Sequence, residues 1–466
     1  MRNSIRILQV ALVAALVLTI CTSCSEKRNG DPAEPKQEAI PAGVLMDQSI
    51  RFRYAIYYLP SPPADPLVAL QELLSKEKRP PALVNELPDK PGKPVIYGRS
   101  VTEVQTKYAP PDMRSLQYFG RGLTRDQAEE LQKSRQVFIM ECAHDKEHTW
   151  EGLRMANQIA EAMARETGGL VWDEMTHEVF TPVAWNNMRI QTWTQDIPDV
   201  SDQTTIHAYR SDEYVRAITL GMAKFGLPDV VAEDFSWSLN RTIGHLINLF
   251  CQSMAEGAVI ERPGEYDLDI RRIQNSEVRE AQITSLKTNA TAVALLSLKK
   301  GKWEQGDPEN RLIELGFERY PGRDVHAKQA EMLSSLFGFE DDVTRVTHSE
   351  ELLAASRRAK ARLPALREEF VEGLDPGEFI QVKTPFKTPD GGQEWMWVEI
   401  TTWEGEKIKG VLKNEPFNIP SLHGGQIVNV KQQDVFDYIR RYPDGRQEGN
   451  ETGAIIQKMQ QASGGQ

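Results

Sequence analysis

Apolar and polar positions follow two rhythms along this chain, and the changes of rhythm mark its elements. Arg51-Phe52-Arg53-Tyr54-Ala55-Ile56-Tyr57-Tyr58 is rich in aromatics and reads as a strand. Asp65-Pro66 opens a helix running through Leu74, since Asp accepts from free first-turn amides and Pro needs no donor there. Prolines from Pro80 to Pro94 mark an irregular surface segment. Thr124 with Gln127 forms a capping-box signature that opens a short helix over 125–133. Val137-Phe138-Ile139-Met140 reads as a buried strand. Leu153, Ala156, Ile159, Ala160 and Met163 then share one helical face, closed by Gly168-Gly169. Leu170-Val171-Trp172 follows as a strand, completing a strand–helix–strand unit.

A second unit follows. Thr205 to Tyr209 is a strand, and 214–225 is expected as a short helix ending in Gly226-Leu227-Pro228. Val230-Val231 is a brief strand, and Ile243 to Met254 an apolar helix closed by Gly257. Strands at 291–298 and 311–317 flank the turn Gly306-Asp307-Pro308-Glu309-Asn310. Residues 326–336 and 349–370 read as helices, and Pro364 is expected to bend or split the second. From Gly377, strands at 379–383, 395–402, 407–412 and 427–430 alternate with tight turns such as Asp390-Gly391-Gly392 and Glu404-Gly405. The halves share no fixed-period identity.

This order predicts an α+β fold. An α/β sandwich-like domain over 49–265 is followed by a connecting α+β region over 266–348. A helix and a smaller β-rich domain occupy 349–462. A length of 466 residues agrees with two or three domains.

The first residues carry an address. Arg2 and Arg6 precede an apolar run from Ile7 to Ile20, and Cys21-Thr22-Ser23-Cys24-Ser25 follows. A basic start, a short apolar core and a small-residue exit describe a secretory signal peptide over 1–23. The run is shorter than the roughly 20 residues a membrane-crossing helix needs. Cys24, preceded by Ser23, resembles the lipidated cysteine of a bacterial lipoprotein, whose acyl chains (palmitate among them) anchor it in a bilayer. Leu commonly stands three residues before that cysteine, and Cys21 stands there instead. Ser25 in place of Asp points to the outer membrane, with the protein facing the periplasm. Residues 25–40 read SEKRNGDPAEPKQEAI, too polar for a core, and 24–48 are expected as a disordered tether.

The net charge of −12 argues against nucleic acid as a partner. Besides Cys21 and Cys24, only Cys142 and Cys251 remain, and both are expected as buried thiols rather than a disulfide. No nucleophile elbow, phosphate loop or dinucleotide fingerprint occurs, and no cofactor is expected.

Two polar knots are the candidates for chemistry. Glu141-Cys142-Ala143-His144-Asp145-Lys146-Glu147-His148 places His144 and His148 four apart, on one face if a helix already includes them. Without a His-Glu-x-x-His order, charged residues before a helix start need no metal, and none is assigned. Asp173, Glu174, His177 and Glu178 form the second knot, which reads as a turn or as acid–base groups at a strand end. His207 and His245 read as core or boundary histidines.

The C-terminal pattern is more specific. Phe379-x-x-Val382-Lys383-x-Pro385-Phe386, Met396-Trp397-Val398-Glu399, Gly410-Val411-Leu412-x-Asn414-Glu415-Pro416 and Gly425-Gln426-x-Val428-x-Val430 follow one another. Asp437-Tyr438, Asp444-Gly445, Gly449 and Thr452 continue the series. From Phe379 to Thr452 this resembles the YegJ-like family of bacterial proteins, a domain of unknown function, with Tyr438 where that family usually has Trp. Gly221-Met222-Ala223-Lys224-Phe225-Gly226-Leu227-Pro228-Asp229 looks like a signature of another uncharacterised bacterial α/β family. Neither resemblance implies catalytic residues. Asn414-Glu415-Pro416 reads as a structural corner or as a ligand-facing Glu415 on a strand-end loop. Trp395 and Trp397 share a strand face and, with Trp403, read as core residues or a binding platform.

The expectation is a non-catalytic, membrane-tethered envelope protein that binds a protein or cell-wall partner, with Trp397, Asn414 and Glu415 as candidate contacts. The alternatives are an envelope hydrolase using His144, His148, Asp173, Glu174 or His177, and an immunity-type protein neutralising a toxin.

Overall fold

The computed structural model describes residues 37–59, 65–211, 214–236, 239–287, 289–338, 350–414, 416 and 418–463. The leader, Cys24 and Glu415 lie outside these residues. Met1–Gln37 and Glu38–Gln466 are two separate units. The second is α+β and carries three large sheets.

The first sheet contains β1 (Ser49–Tyr58), β2 (Ala82–Val84), β3 (Val95–Val101), β4 (Gly120–Arg121), β5 (Gln136–Asp145), β6 (Gly169–Asp173) and β7 (Glu178–Phe180). Its order is β2-β3-β5-β1-β6-β7-β4. Helices α1 (Pro66–Lys76), α2 (Met113–Phe119), α3 (Arg125–Leu131) and α4 (Thr149–Thr167) intervene. The series β1-α1-β3-β5-α4-β6 is a ferredoxin-like split βαβ arrangement, with β1 inserted between β5 and β6. The caps expected from sequence are formed: Asp65 accepts from Leu67, and Thr124 and Gln127 complete a reciprocal capping box. Leu70 of α1 and Leu153, Ala156 and Ala160 of α4 join Tyr54, Ile56, Phe138 and Met140 in the main core. The opposite face packs Ala55, Tyr57, Val137 and Ile139 against Leu116, Ala128 and Leu131.

The second sheet contains β8 (Thr205–Ser211), β9 (Tyr214–Leu220), β10 (Asp229–Phe235), β11 (Glu265–Asp269), β12 (Val293–Lys300) and β13 (Leu312–Gly316). Helix α5 (Asn240–Ala255) follows the first three strands. Helix α6 (Ser276–Ser285) lies between β11 and β12, and α7 (Val325–Phe337) closes the set. The order β11-β12-β13-β10-β9-β8 joins two three-stranded meanders through the parallel pair β10 and β13. Residues 266–348, read from sequence as a connecting region, thus supply nearly half of a sheet begun at Thr205.

The helix expected over 214–225 is instead β9 followed by a 3-10 turn, Met222–Phe225. Six consecutive residues of β9 are buried, so the strand lacks the alternation that would have marked it. Order also begins before Ser49. Ile40 N–H donates to the Leu298 carbonyl at 3.1 Å, and Gly264 N–H donates to the Ile40 carbonyl at 2.7 Å.

The third sheet follows α8 (Glu350–Glu372). It contains β14 (Phe379–Lys387), β15 (Gln393–Glu404), β16 (Lys407–Leu412), β17 (Ile427–Lys431), β18 (Asp437–Arg441) and β19 (Gln447–Gly449), and α9 (Glu451–Ser463) closes the chain. All neighbours in the order β17-β16-β15-β14-β18-β19 are antiparallel. Helix α8 runs through Pro364 without a split. Leu363 and Leu366, buried on the sheet, hold it there despite the missing amide donor. Ala359, Leu363 and Leu366 form a separate core with Ile380, Val382, Met396, Val398, Ile408 and Leu412. Around the linking residues, Gly377 N–H donates to the Gln117 carbonyl at 2.9 Å. Arg125 N–H donates to Asp375 Oδ1 at 2.9 Å.

Candidate functional site

The catalytic candidates do not form one site. His144 lies within strand β5, one residue before its end, whereas His148 lies in the 3-10 turn Lys146–His148, so no helix face unites them. The strand outlasts its expected end because Glu141 to Asp145 pair residue by residue with Arg53 to Ser49. His144 is buried against Gly152 of α4, with Nδ1 donating to the Asp145 carbonyl at 2.9 Å. Burial holds its pKa below the ordinary value, so the ring is neutral at pH 7. His148 Nδ1 lies 2.6 Å from Asp145 Oδ1 at the half-exposed turn.

His144 sits opposite Ile50 and Asp173 opposite Tyr54. That offset of four residues along β1 separates them by about 13 Å along the strand. Glu141 and Glu174 belong to the other face of the sheet, where Arg53 Nη1 donates to Glu174 Oε1 at 2.8 Å and Tyr108 also bonds Glu174. His177 is at the surface in the turn between β6 and β7, with φ 61°, its ring 6.5 Å from Phe119.

Asp173 is fully buried and ion-paired with Lys224, itself fully buried. Arg189 Nη2 pairs with Glu178 and lies 3.7 Å from Asp173. Around them, Tyr54 OH donates to Asn157 Oδ1 at 2.7 Å, and Asn157 Nδ2 donates to Gln203 Oε1 at 2.9 Å. Burial pulls the Lys224 ammonium down to about 8 despite the opposing Asp173 charge. Asp229 ends the same motif. It accepts from Thr219 Oγ1, Met222 N–H and Asn310 Nδ2, and burial outweighs these bonds to raise its pKa to about 6. The glycines of that motif, Gly221 and Gly226, take left-handed φ values of 110° and 66° around the 3-10 turn. This network clasps the first and second sheets together, and Asp173, Lys224, Arg189 and Glu178 are buried away from the cavity lined by Ser253, Glu256, Arg262 and Tyr266. Lys224 was visible in sequence as a charge inside an apolar run, but Arg189 carried no comparable signal.

Cys142 and Cys251 are buried free thiols. Burial raises the Cys142 pKa to about 12, leaving it a poor nucleophile. Among the described residues no His, Cys, Asp or Glu group has metal-holding geometry.

The third sheet offers a different surface. Helix α8 covers the face carrying Ile380, Val382, Met396, Val398, Trp403 and Ile408. By strand alternation the other face presents Gln381, Lys383, Trp397, Glu399, Val411 and Ile439, all half-buried, and Lys407, Lys409, Ile427 and Lys431, all exposed. Trp397 lies at its centre, opposite Lys383. The Lys383 ammonium is 5.7 Å from the Trp397 ring centroid, a cation–π contact. Asn414 Oδ1 accepts from Trp397 N–H at 2.6 Å, and Lys413 N–H donates to the Trp397 carbonyl at 2.8 Å. Asn414 therefore finishes the β15 ladder and fixes the Trp397 backbone. The Trp395 ring packs at a 50° tilt against Phe436, centroids 4.6 Å apart, while Trp403 is buried under α8 and donates to Gln432.

The recurrent motif residues maintain this sheet. A side chain on Gly410 would collide with the Glu399 carbonyl oxygen. Buried Asp437 accepts from Thr452 N–H at 2.9 Å and Thr452 Oγ1 at 2.6 Å, capping α9 from outside it.

A family model described as an uncharacterized protein conserved in bacteria (DUF2314) matches residues 350–463, which span α8, the whole third sheet and α9. No curated protein matches the chain, and no solved structure matches it.

Proposed function

We propose that this protein is a lipid-anchored component of the bacterial cell envelope that binds a partner protein through the open face of its third sheet. One observation carries the binding reading. Among the described residues no helix covers the side of the sheet opposite α8, and half-buried Trp397 is fixed there by Lys383 and Asn414. An indole held in place offers contact area at little entropic cost, which suits a binding contact. The leader and Cys24 support the anchor and the outer-membrane, periplasm-facing location. The hydrolase alternative loses its support, because His144, Asp173 and Glu174 do not converge.

Both halves are testable. Cys24→Ala with Cys21 intact is expected to abolish acyl labelling and membrane fractionation, and retention of both would refute the anchor. A photo-crosslinking residue placed at Ile427, exposed on the face, is expected to give a discrete adduct in cells. Val68, equally exposed on α1, is the control position. Identical products at both positions, or none at Ile427, would refute the binding face.

A further inference from the structure

We infer that the occupant of this face is an acidic, extended protein segment that adds as a strand along β17. The inference rests on the binding reading above and names the chemistry of its partner.

Strand β17 is an edge of the third sheet. Leu412 N–H donates to the Gln426 carbonyl at 2.9 Å, and Gln432 N–H donates to the Glu406 carbonyl at 2.9 Å. With the register Gly410 to Val428 and Ile408 to Val430, these bonds set which residues face inward. Ile427, Asn429 and Lys431 therefore direct their backbone N–H and C=O groups away from β16. All three are exposed. Among the described residues no strand pairs with this edge, and that is the geometry strand addition uses.

Charge selects the occupant. The chain carries −12 overall, yet this end of the face presents Lys407, Lys409 and Lys431, all exposed. Lys407 and Lys431 are directly opposed across β16 and β17, a placement that repels unless an anion lies between. Glu404 opposes Lys407 from β15 and offsets part of this charge. Lys409 opposes Thr402 and Asn429, with no carboxylate directly across either strand. A second copy pairing antiparallel about Asn429 would set Lys431 against Ile427, and β17 carries no carboxylate to offer the lysines, so an acidic strand fits better than a copy of this chain. A strand carrying Asp or Glu on its open-face positions meets the lysines. Its apolar residues meet Ile427, whereas Val411 and Trp397 lie one and two strands further in, on β16 and β15.

The test uses the full-length protein in detergent and a short peptide of alternating Glu and Val. Controls carry Gln or Lys in place of Glu, and vesicles containing anionic lipid form a separate arm. The Glu peptide is expected to slow hydrogen exchange at Ile427, Asn429 and Lys431, and to bind on the order of tenfold more weakly to a Lys407→Glu, Lys409→Glu, Lys431→Glu variant. Salt of about 1 M should weaken it as well. A triple Lys→Gln variant, which adds no new repulsion, should lie between. Equal binding of the Gln peptide, binding without protection of the β17 amides, or protection by vesicles alone would overturn the inference. If the Ile427 crosslink persists while the peptide fails, only the acidic-strand assignment falls. If both fail, the binding face falls with it.

Discussion

At the residue scale, Asp173 shows how a group suited to catalysis is spent on architecture. Its carboxylate is dry, paired with Lys224 and near Arg189, so it meets no substrate. Asp173→Ala leaves an ammonium uncompensated in the core and is expected to cost about 3–5 kcal/mol in urea unfolding. His148→Ala, at a half-exposed turn, should change stability by no more than about 1 kcal/mol. Equal effects of the two would contradict the network described. Asp229 adds a pH signature. Its folded pKa near 6 exceeds its unfolded value, so between those values the native state binds more protons than the unfolded chain. Stability from this group is present below the unfolded pKa and is lost as pH rises through about 6. Wild type should therefore gain stability relative to Asp229→Asn when pH falls from 7 to 5, and parallel pH curves would exclude the assignment.

At the scale of elements, legibility followed solvent contact. The capped helices, the α4 stripe and strands β14 to β17 of the third sheet are readable because each has one wet face, whereas β18 and β19 are not among the expected strands. Lys407-Ile408-Lys409-Gly410-Val411-Leu412 alternates as a half-covered strand must, and it is one. Strand β9 escapes a sequence reading because both its faces are dry, and Val215, Ile218 and Met222 fall at helical spacing. Strand β11, Glu-Tyr-Asp-Leu-Asp, was missed because an edge strand tolerates charges. The candidate site divided likewise: Trp397 and Asn414 were legible from local pattern, whereas the Asp173–Lys224 pair joins residues from two different sheets. Two element-level changes probe the third sheet. Gly410→Ala forces β16 away from the Glu399 carbonyl and should cost about 1–3 kcal/mol, read from the denaturation midpoint. Glu448 ties β19 to α8. Burial raises its pKa, but bonds from Arg362, Tyr442 and Tyr438 outweigh this and hold it down at about 2. The stability it contributes is present above its unfolded pKa and fades as pH falls toward 2. Glu448→Gln should speed amide exchange in α8 at pH 7, and unchanged protection would show the tie to be idle.

At the scale of the whole molecule, the two cores stay apart. The first and second sheets share one apolar cluster, while the third sheet and α8 keep their own. Residues 350–463 expressed alone should give a cooperative melt and dispersed amide resonances. A molten, ANS-binding fragment would show that the core depends on its neighbours. Where the third sheet meets the first, side chains and backbone both take part: Gln117 Nε2 donates to the Glu378 carbonyl at 2.9 Å, Arg125 Nη1 to the Glu372 carbonyl, and the Tyr118 ring lies 6.4 Å from Phe379. The family match begins at residue 350 and takes in nothing of the two preceding sheets, so its bounds coincide with the segment that brings its own interior.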